Sequence, residues 1–128
     1  MLPGRTEYIE KYGLAAADLA RAGYSVISID FRGQGLSDRA VDDPMTGHVE
    51  DFAEYQADID TMIDTAQRHD LPQPFYLLAH SMGGCIALRR LMKADHPFKA
   101  AAFSAPMWGI AMAAWMRPVA HIISSLAG

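Results

Sequence analysis

A single cysteine, Cys85, stands among the 128 residues, so no internal disulfide can form, and a reducing compartment suits the chain. Basic residues are too few for a nucleic-acid ligand. Lys and Arg number 11 against 15 Asp and Glu, a formal net charge of -4 with no basic stripe. The longest uncharged run, Ala100 to Met116, has 17 residues and is broken by Pro106 and Gly109, so no transmembrane segment is expected. Met1-Leu2-Pro3-Gly4 runs straight into a polar segment without the pattern of a leader, which makes the cytoplasm the expected compartment. Internal repeats and low-complexity tracts are absent. What remains is the composition of one globular domain, 51% hydrophobic and 20% charged.

The most informative stretch is Phe75 to Met92, FYLLAHSMGGCIALRRLM. Phe75–Ala79 is an apolar run set off by Pro72 and Pro74, which predicts a buried strand. Ile86, Leu88, Leu91 and Met92 give the following segment a helical apolar face. Between them Ala79-His80-Ser81-Met82-Gly83 fits the nucleophile elbow G-x-S-x-G, with Ala79 at the first Gly position. Strand and helix pack closely beneath such a turn, so that position needs a small side chain. Cys85, one helical turn after Ser81, reads as a small core residue.

Upstream, Thr6 is a plausible N-cap for a helix to about Arg21, with Ile9, Tyr12, Ala16, Leu19 and Ala20 on one face. After Gly23, Tyr24–Asp30 is a β-branched-rich strand, followed by the Gly-rich loop Phe31 to Asp38. A dinucleotide fingerprint would need a third glycine where Asp38 stands and a helix opening directly from the loop. Neither is present. From about Val49 to His69 an amphipathic helix buries Phe52, Tyr55, Ile59, Met62, Ile63 and Ala66. Its carboxylates, Glu50, Asp51, Glu54, Asp58, Asp60 and Asp64, read as a solvated face and not a metal site. The helix after Ser81 is expected to end near Asp95, and Lys99–Ser104 is a further strand. Strands alternating with helices predict a mostly parallel α/β sheet, whose ligands bind at the carboxyl ends of the strands. Ser81, the Gly-rich loop and the Gly4-Arg5 loop converge on that edge.

These segments resemble the α/β-hydrolase superfamily, and within it the bacterial lysophospholipase and monoacylglycerol-lipase-like branch. Pro3-Gly4-Arg5-Thr6-Glu7 looks like the branch's oxyanion loop, Asp30 to Asp38 its Gly-rich loop, Gly47 to Phe52 the lead into its next helix, and Ala79–Gly84 its elbow. The match covers Pro3 to about Trp108, and implies a core over 1–106 with a helical lid beginning at 107–128. The resemblance implies hydrolysis of a carboxylic ester, on a lysophospholipid or monoacylglycerol, through an acyl-enzyme on Ser81. The backbone N–H groups of Met82 and Arg5 would hold the oxyanion, and Gly4, His80 and Trp108 would border the substrate. It implies no cofactor and no metal, a small-molecule lipid ester as ligand, and transient contact with a membrane surface; oligomeric state stays open.

The branch's triad runs Ser, then Asp or Glu, then His. After Ser81 the only acidic residue is Asp95, about 20 Å away along a helix. His80 neighbours Ser81 on an extended segment and points to the other side. His96 shares the distance of Asp95; His48 and His69 flank a helix; His121 has no carboxylate partner. The branch's central strand is reduced here to Met1-Leu2. The expectation is therefore a piece of a longer hydrolase, truncated at both ends and inactive alone. Two alternatives remain: a serine aminopeptidase acting on peptides, and a non-catalytic hydrolase-fold binding module.

Overall fold

The computed structural model describes residues 1–109, and the expected lid from 110 onward, with His121, lies outside the described residues. The longest helix, α2 (Tyr55–Arg68), follows from its apolar spacing: Tyr55, Ile59, Met62, Ile63 and Ala66 are all buried. Each large apolar chain buried there contributes about 1.5–3 kcal/mol. A short 3-10 segment, Phe52–Glu54, leads into it. Asp51 caps that segment reciprocally, accepting from Ala53 N while Glu54 Oε1 accepts from Asp51 N at 3.0 Å.

β1 (Phe75–His80) carries the alternate burial of a half-covered strand, with Leu77 and Ala79 turned into the core. The helix after it, α3 (Met82–Leu91), packs on α2 through Ile86 and Ala87, both fully buried. β2 (Phe98–Ser104) returns parallel to β1, with Leu77 opposite Ala101 and Ala79 opposite Phe103. This β1–α3–β2 unit is the parallel α/β arrangement expected from the alternating pattern, and it fits the partial α/β-hydrolase fold that the resemblance implies.

Other expectations are corrected. Thr6 caps no helix: it sits at φ 56°, a 3-10 turn spans Ile9–Tyr12, and α1 begins only at Gly13 and runs to Arg21. The α1 stripe buries none of its members completely, and Ala20 is exposed. Tyr24–Asp30 forms no strand among the described residues. Its backbone meets the sheet through the Met1 amine, which donates to Ile27 O at 2.6 Å, and Ser28 Oγ, which donates to Met1 O at 3.1 Å. Leu2 in turn bridges β1, donating to Leu78 O at 2.8 Å and accepting from His80 N at 3.0 Å. Beyond this two-residue link the neighbours part around an apolar groove of about 560 Å³, lined by Tyr24, Val26, Tyr76 and Leu78 among others. A strand needs a ladder partner, and here Tyr24–Val26 make no backbone hydrogen bond to Leu2 or β1; Tyr24 meets β1 edge-on through the Tyr76 ring. α3 also ends at Leu91, short of Asp95, and its face is rotated from the expected one: Leu88 and Met92 are exposed, while Arg90 is buried.

Glu54 and Asp58 correct the picture of a wholly solvated acidic face. Asp58 takes the Arg32 guanidinium in three hydrogen bonds, from Nε at 3.0 Å and 3.1 Å to its two oxygens and from Nη2 at 2.8 Å, and Glu54 pairs with Nη1. Together they tie the Gly-rich loop to α2. Beside this tie Phe31 packs edge-on against Tyr55, centroids 5.2 Å apart, and Tyr55 against Phe52 at 5.3 Å.

Candidate functional site

Ser81 occupies the turn between β1 and α3 with φ 49° and ψ -121°. A residue with a β-carbon is strained there, and such strain persists only where the surroundings impose it. Three hydrogen bonds do so. Ser81 N donates to Ser104 O at 3.1 Å, and Ser81 O accepts from Gly84 N and Met107 N, each at 2.9 Å. Gly83 must be glycine for the close approach beneath: a Cβ there would lie 2.7 Å from Leu2 O and overlap the Pro3 carbonyl.

The Pro3–Glu7 loop crosses directly in front of this turn. A Cβ at Gly4 would come within 3.1 Å of Ser81 Cβ and 2.8 Å of Glu7 Oε2. Gly4 N donates to that Glu7 oxygen at 2.5 Å. Among the described residues, the N–H groups of Arg5 and of Met82 have no hydrogen-bond acceptor. The Met82 amide is free for a general reason, since it opens a helix whose first N–H groups have no intrahelical partner. The site thus combines a strained serine, the unpaired Met82 amide that follows it, and the unpaired Arg5 amide one residue after Gly4.

Glu7 is the residue that sequence reasoning passed over, although it lies in the quoted oxyanion-like loop. It is buried, and accepts from Lys11 Nζ and the Tyr12 hydroxyl as well as from Gly4 N. Burial opposes its charge; the hydrogen bonds from Lys11, Tyr12 and Gly4 outweigh that and hold the carboxyl at about 2. The same contact works in reverse on Tyr12, whose phenol is raised by burial and then by its hydrogen bond to Glu7. A Glu followed four residues later by Lys was a readable i,i+4 pair. Its inward direction was not readable.

His80 turns toward this carboxylate, its Nε2 3.9 Å from Glu7 Oε1, while Nδ1 lies 3.3 Å from Ser104 Oγ. Trp108 is more than half exposed and leans on Phe103, centroids 5.1 Å apart, one residue beyond the Met107 amide bound to Ser81. Gly4, Ser81, Met82 and His80 are therefore brought together, with Trp108 alongside.

The candidates for a base and its carboxylate lie elsewhere. Asp95 pairs with Arg90 at 3.0 Å past the far end of α3, and His96 stacks on Phe98. His69 closes α2, and His48 sits in the loop before it. No described histidine is hydrogen-bonded to the Ser81 hydroxyl. Among the described residues no three His, Cys, Asp or Glu converge to hold a metal ion, and no helix is long and apolar enough to cross a membrane.

A family profile described as "Serine aminopeptidase, S33" matches residues 1–128. The chain belongs to that family of α/β-hydrolases. Within it, the chain is 42% identical over 111 residues to "Lysophospholipase L2" of Escherichia coli (strain K12), covering 84% of this chain and 32% of that protein. It is 36% identical over 110 residues to "Probable lysophospholipase L2" of Haemophilus influenzae, covering 86% and 34%. To "Phospholipase YtpA" of Bacillus subtilis it is 35% identical over 97 residues, covering 76% and 35%. The chain spans about a third of the length of these relatives.

Proposed function

We propose that Ser81 is the nucleophile of a lipid-ester hydrolase acting on lysophospholipids or monoacylglycerols. The reading rests above all on the Ser81 backbone, held at φ 49° at the carboxyl end of β1, with the unpaired Met82 N–H next to it and the Gly4-Arg5 loop packed against it. Ser81 Oγ attacks the acyl carbonyl carbon, the two amides receive the developing oxyanion, and the alcohol leaves as the acyl-enzyme forms. Water then releases the fatty acid. One oxyanion donor lowers the barrier by roughly 3 kcal/mol. The attack also needs a general base to take the serine proton. None of the described residues offers one to Ser81. The names of these relatives favour phospholipid esters as the substrate class. The apolar surface around Phe103, Met107 and Trp108 suits an acyl chain.

The test is fatty-acid release from lysophosphatidylcholine and from a monoacylglycerol, set against cleavage of aminoacyl-arylamides, by the protein as its gene encodes it. Ester turnover that disappears in Ser81→Ala supports the reading. Arylamide cleavage without ester turnover replaces it with the aminopeptidase reading that the family's name suggests. Ester turnover that survives Ser81→Ala removes Ser81 from the chemistry.

A further inference from the structure

The Gly-rich loop Phe31 to Asp38 carries one of the most buried polar side chains among the described residues. Gln34 is 3% exposed. An amide so placed must spend its hydrogen bonds on specific partners, because each polar atom left unpaired would cost stability. Its Nε2 donates to Gly4 O at 3.0 Å, and its Oε1 accepts from Thr6 N at 2.7 Å. The side chain therefore grips the backbone on both sides of Arg5, as a neighbouring strand would. Glu7 removes the remaining competitor by taking Gly4 N. In the segment 4–6 only the Arg5 N–H is left over.

The grip is itself anchored. Asp30 Oδ2 accepts from Leu36 N at 3.0 Å, and Asp30 Oδ1 from Ile9 N at 2.9 Å. Gln34 N donates to Phe31 O at 3.0 Å, and Ser37 N to Gln34 O at 3.0 Å. Gly35, at φ 50°, packs so tightly on the Asp30 carboxylate that a Cβ would overlap it. The loop on which Gln34 rides has little freedom to move. Thr6, at φ 56°, is strained on the other side of the clamp, and its N–H is the group that Gln34 Oε1 holds.

We infer that Gln34 is a positioning residue for the oxyanion loop: its amide clamps Gly4 O and Thr6 N so that the Arg5 N–H alone is presented beside Ser81. The inference rests on the proposed ester hydrolysis for the use of that N–H, but the clamp can be measured without turnover. Gln34→Met keeps the buried volume and removes both hydrogen bonds; Gln34→Glu keeps an acceptor for Thr6 N and sets a second acceptor against Gly4 O.

Amide hydrogen exchange of the protein as its gene encodes it reads the clamp. In Gln34→Met the Thr6 amide is expected to exchange at least 10-fold faster, while Ile59 and Ile63 in α2 keep their rates. Gln34→Glu is expected to retain more Thr6 protection than Gln34→Met. An unchanged Thr6 rate in Gln34→Met overturns the inference, as does a loss of protection spread equally through α2 and β1, which would make Gln34 a general core residue. In the protein as its gene encodes it, Gln34→Met is expected to lower kcat for the ester at least 10-fold with KM within about twofold. A KM change with kcat intact also overturns it. Ester turnover that persists in Ser81→Ala counts against the serine assignment, and the exchange rates still decide the clamp.

Discussion

Gly4 and Ser81 touch across two loops: a methyl group at residue 4 would stand 3.1 Å from Ser81 Cβ and 2.8 Å from the Glu7 carboxylate. The serine turn and the loop that brings Arg5 to it are thus a single packed unit. Gly4→Ala forces one of them to move. We expect it to cost about 1–3 kcal/mol of stability, the usual range for overpacking a tight contact. We also expect it to abolish most ester turnover, since a displacement of about 1 Å at a reacting centre can cost on the order of 100-fold. Urea unfolding and turnover measured on the same preparation check both.

Gly35 faces the Asp30 carboxylate at φ 50°, where a Cβ meets both strain and overlap. Gly35→Ala is expected to lose about 2 kcal/mol or more, above the usual cost of an incompatible Gly→Ala change. Ala at Gly13, where open space surrounds the backbone, is the control. That variant should be neutral or slightly stabilised. Equal midpoints for the two in urea would contradict the loop geometry.

Glu7 ties stability to acid. Its folded carboxyl titrates at about 2 against an ordinary 4.5. The stabilisation from its ionised form is therefore complete above pH 4.5 and is lost as pH falls through about 2. The size of the effect is on the order of 2–3 kcal/mol. Glu7→Gln should be less stable than the parent at pH 7, and the gap should close between pH 4.5 and 2. Urea midpoints for both proteins across that interval measure it; parallel curves would place the acid sensitivity elsewhere.

Ile86 and Leu88 sit two residues apart on α3 with opposite fates, 0% and 40% exposed. Ile86→Ala is expected to cost about 2–5 kcal/mol, against about 0.5 kcal/mol for Leu88→Ala. Domains of this size are stable by only about 5–15 kcal/mol, so the first change alone is a large share. Similar losses at the two positions would mean that α3 is rotated from the arrangement described.

The sequence by itself determined the elements whose information is local. A proline-bounded apolar run made β1, spacing of apolar residues at helical period made α2 and its buried stripe, and small residues between strand and helix made the turn at Ser81. Such patterns report period and punctuation, which need no distant partner. Only the tertiary structure decided the rest. Tyr24–Asp30 had strand composition, but a strand exists only in a ladder, and among the described residues this segment is met by the Met1 amine on Ile27 O and by Met1 O under Ser28 Oγ. Leu88 and Met92 had the right spacing for a buried face, but the face is set by where α2 and β1 press on the helix. Arg32 finds Asp58 from 26 residues away, and Gln34 grips Gly4 from 30. No local period encodes a hydrogen bond across such a separation: the folded backbone must first bring the two loops to the same edge of the sheet.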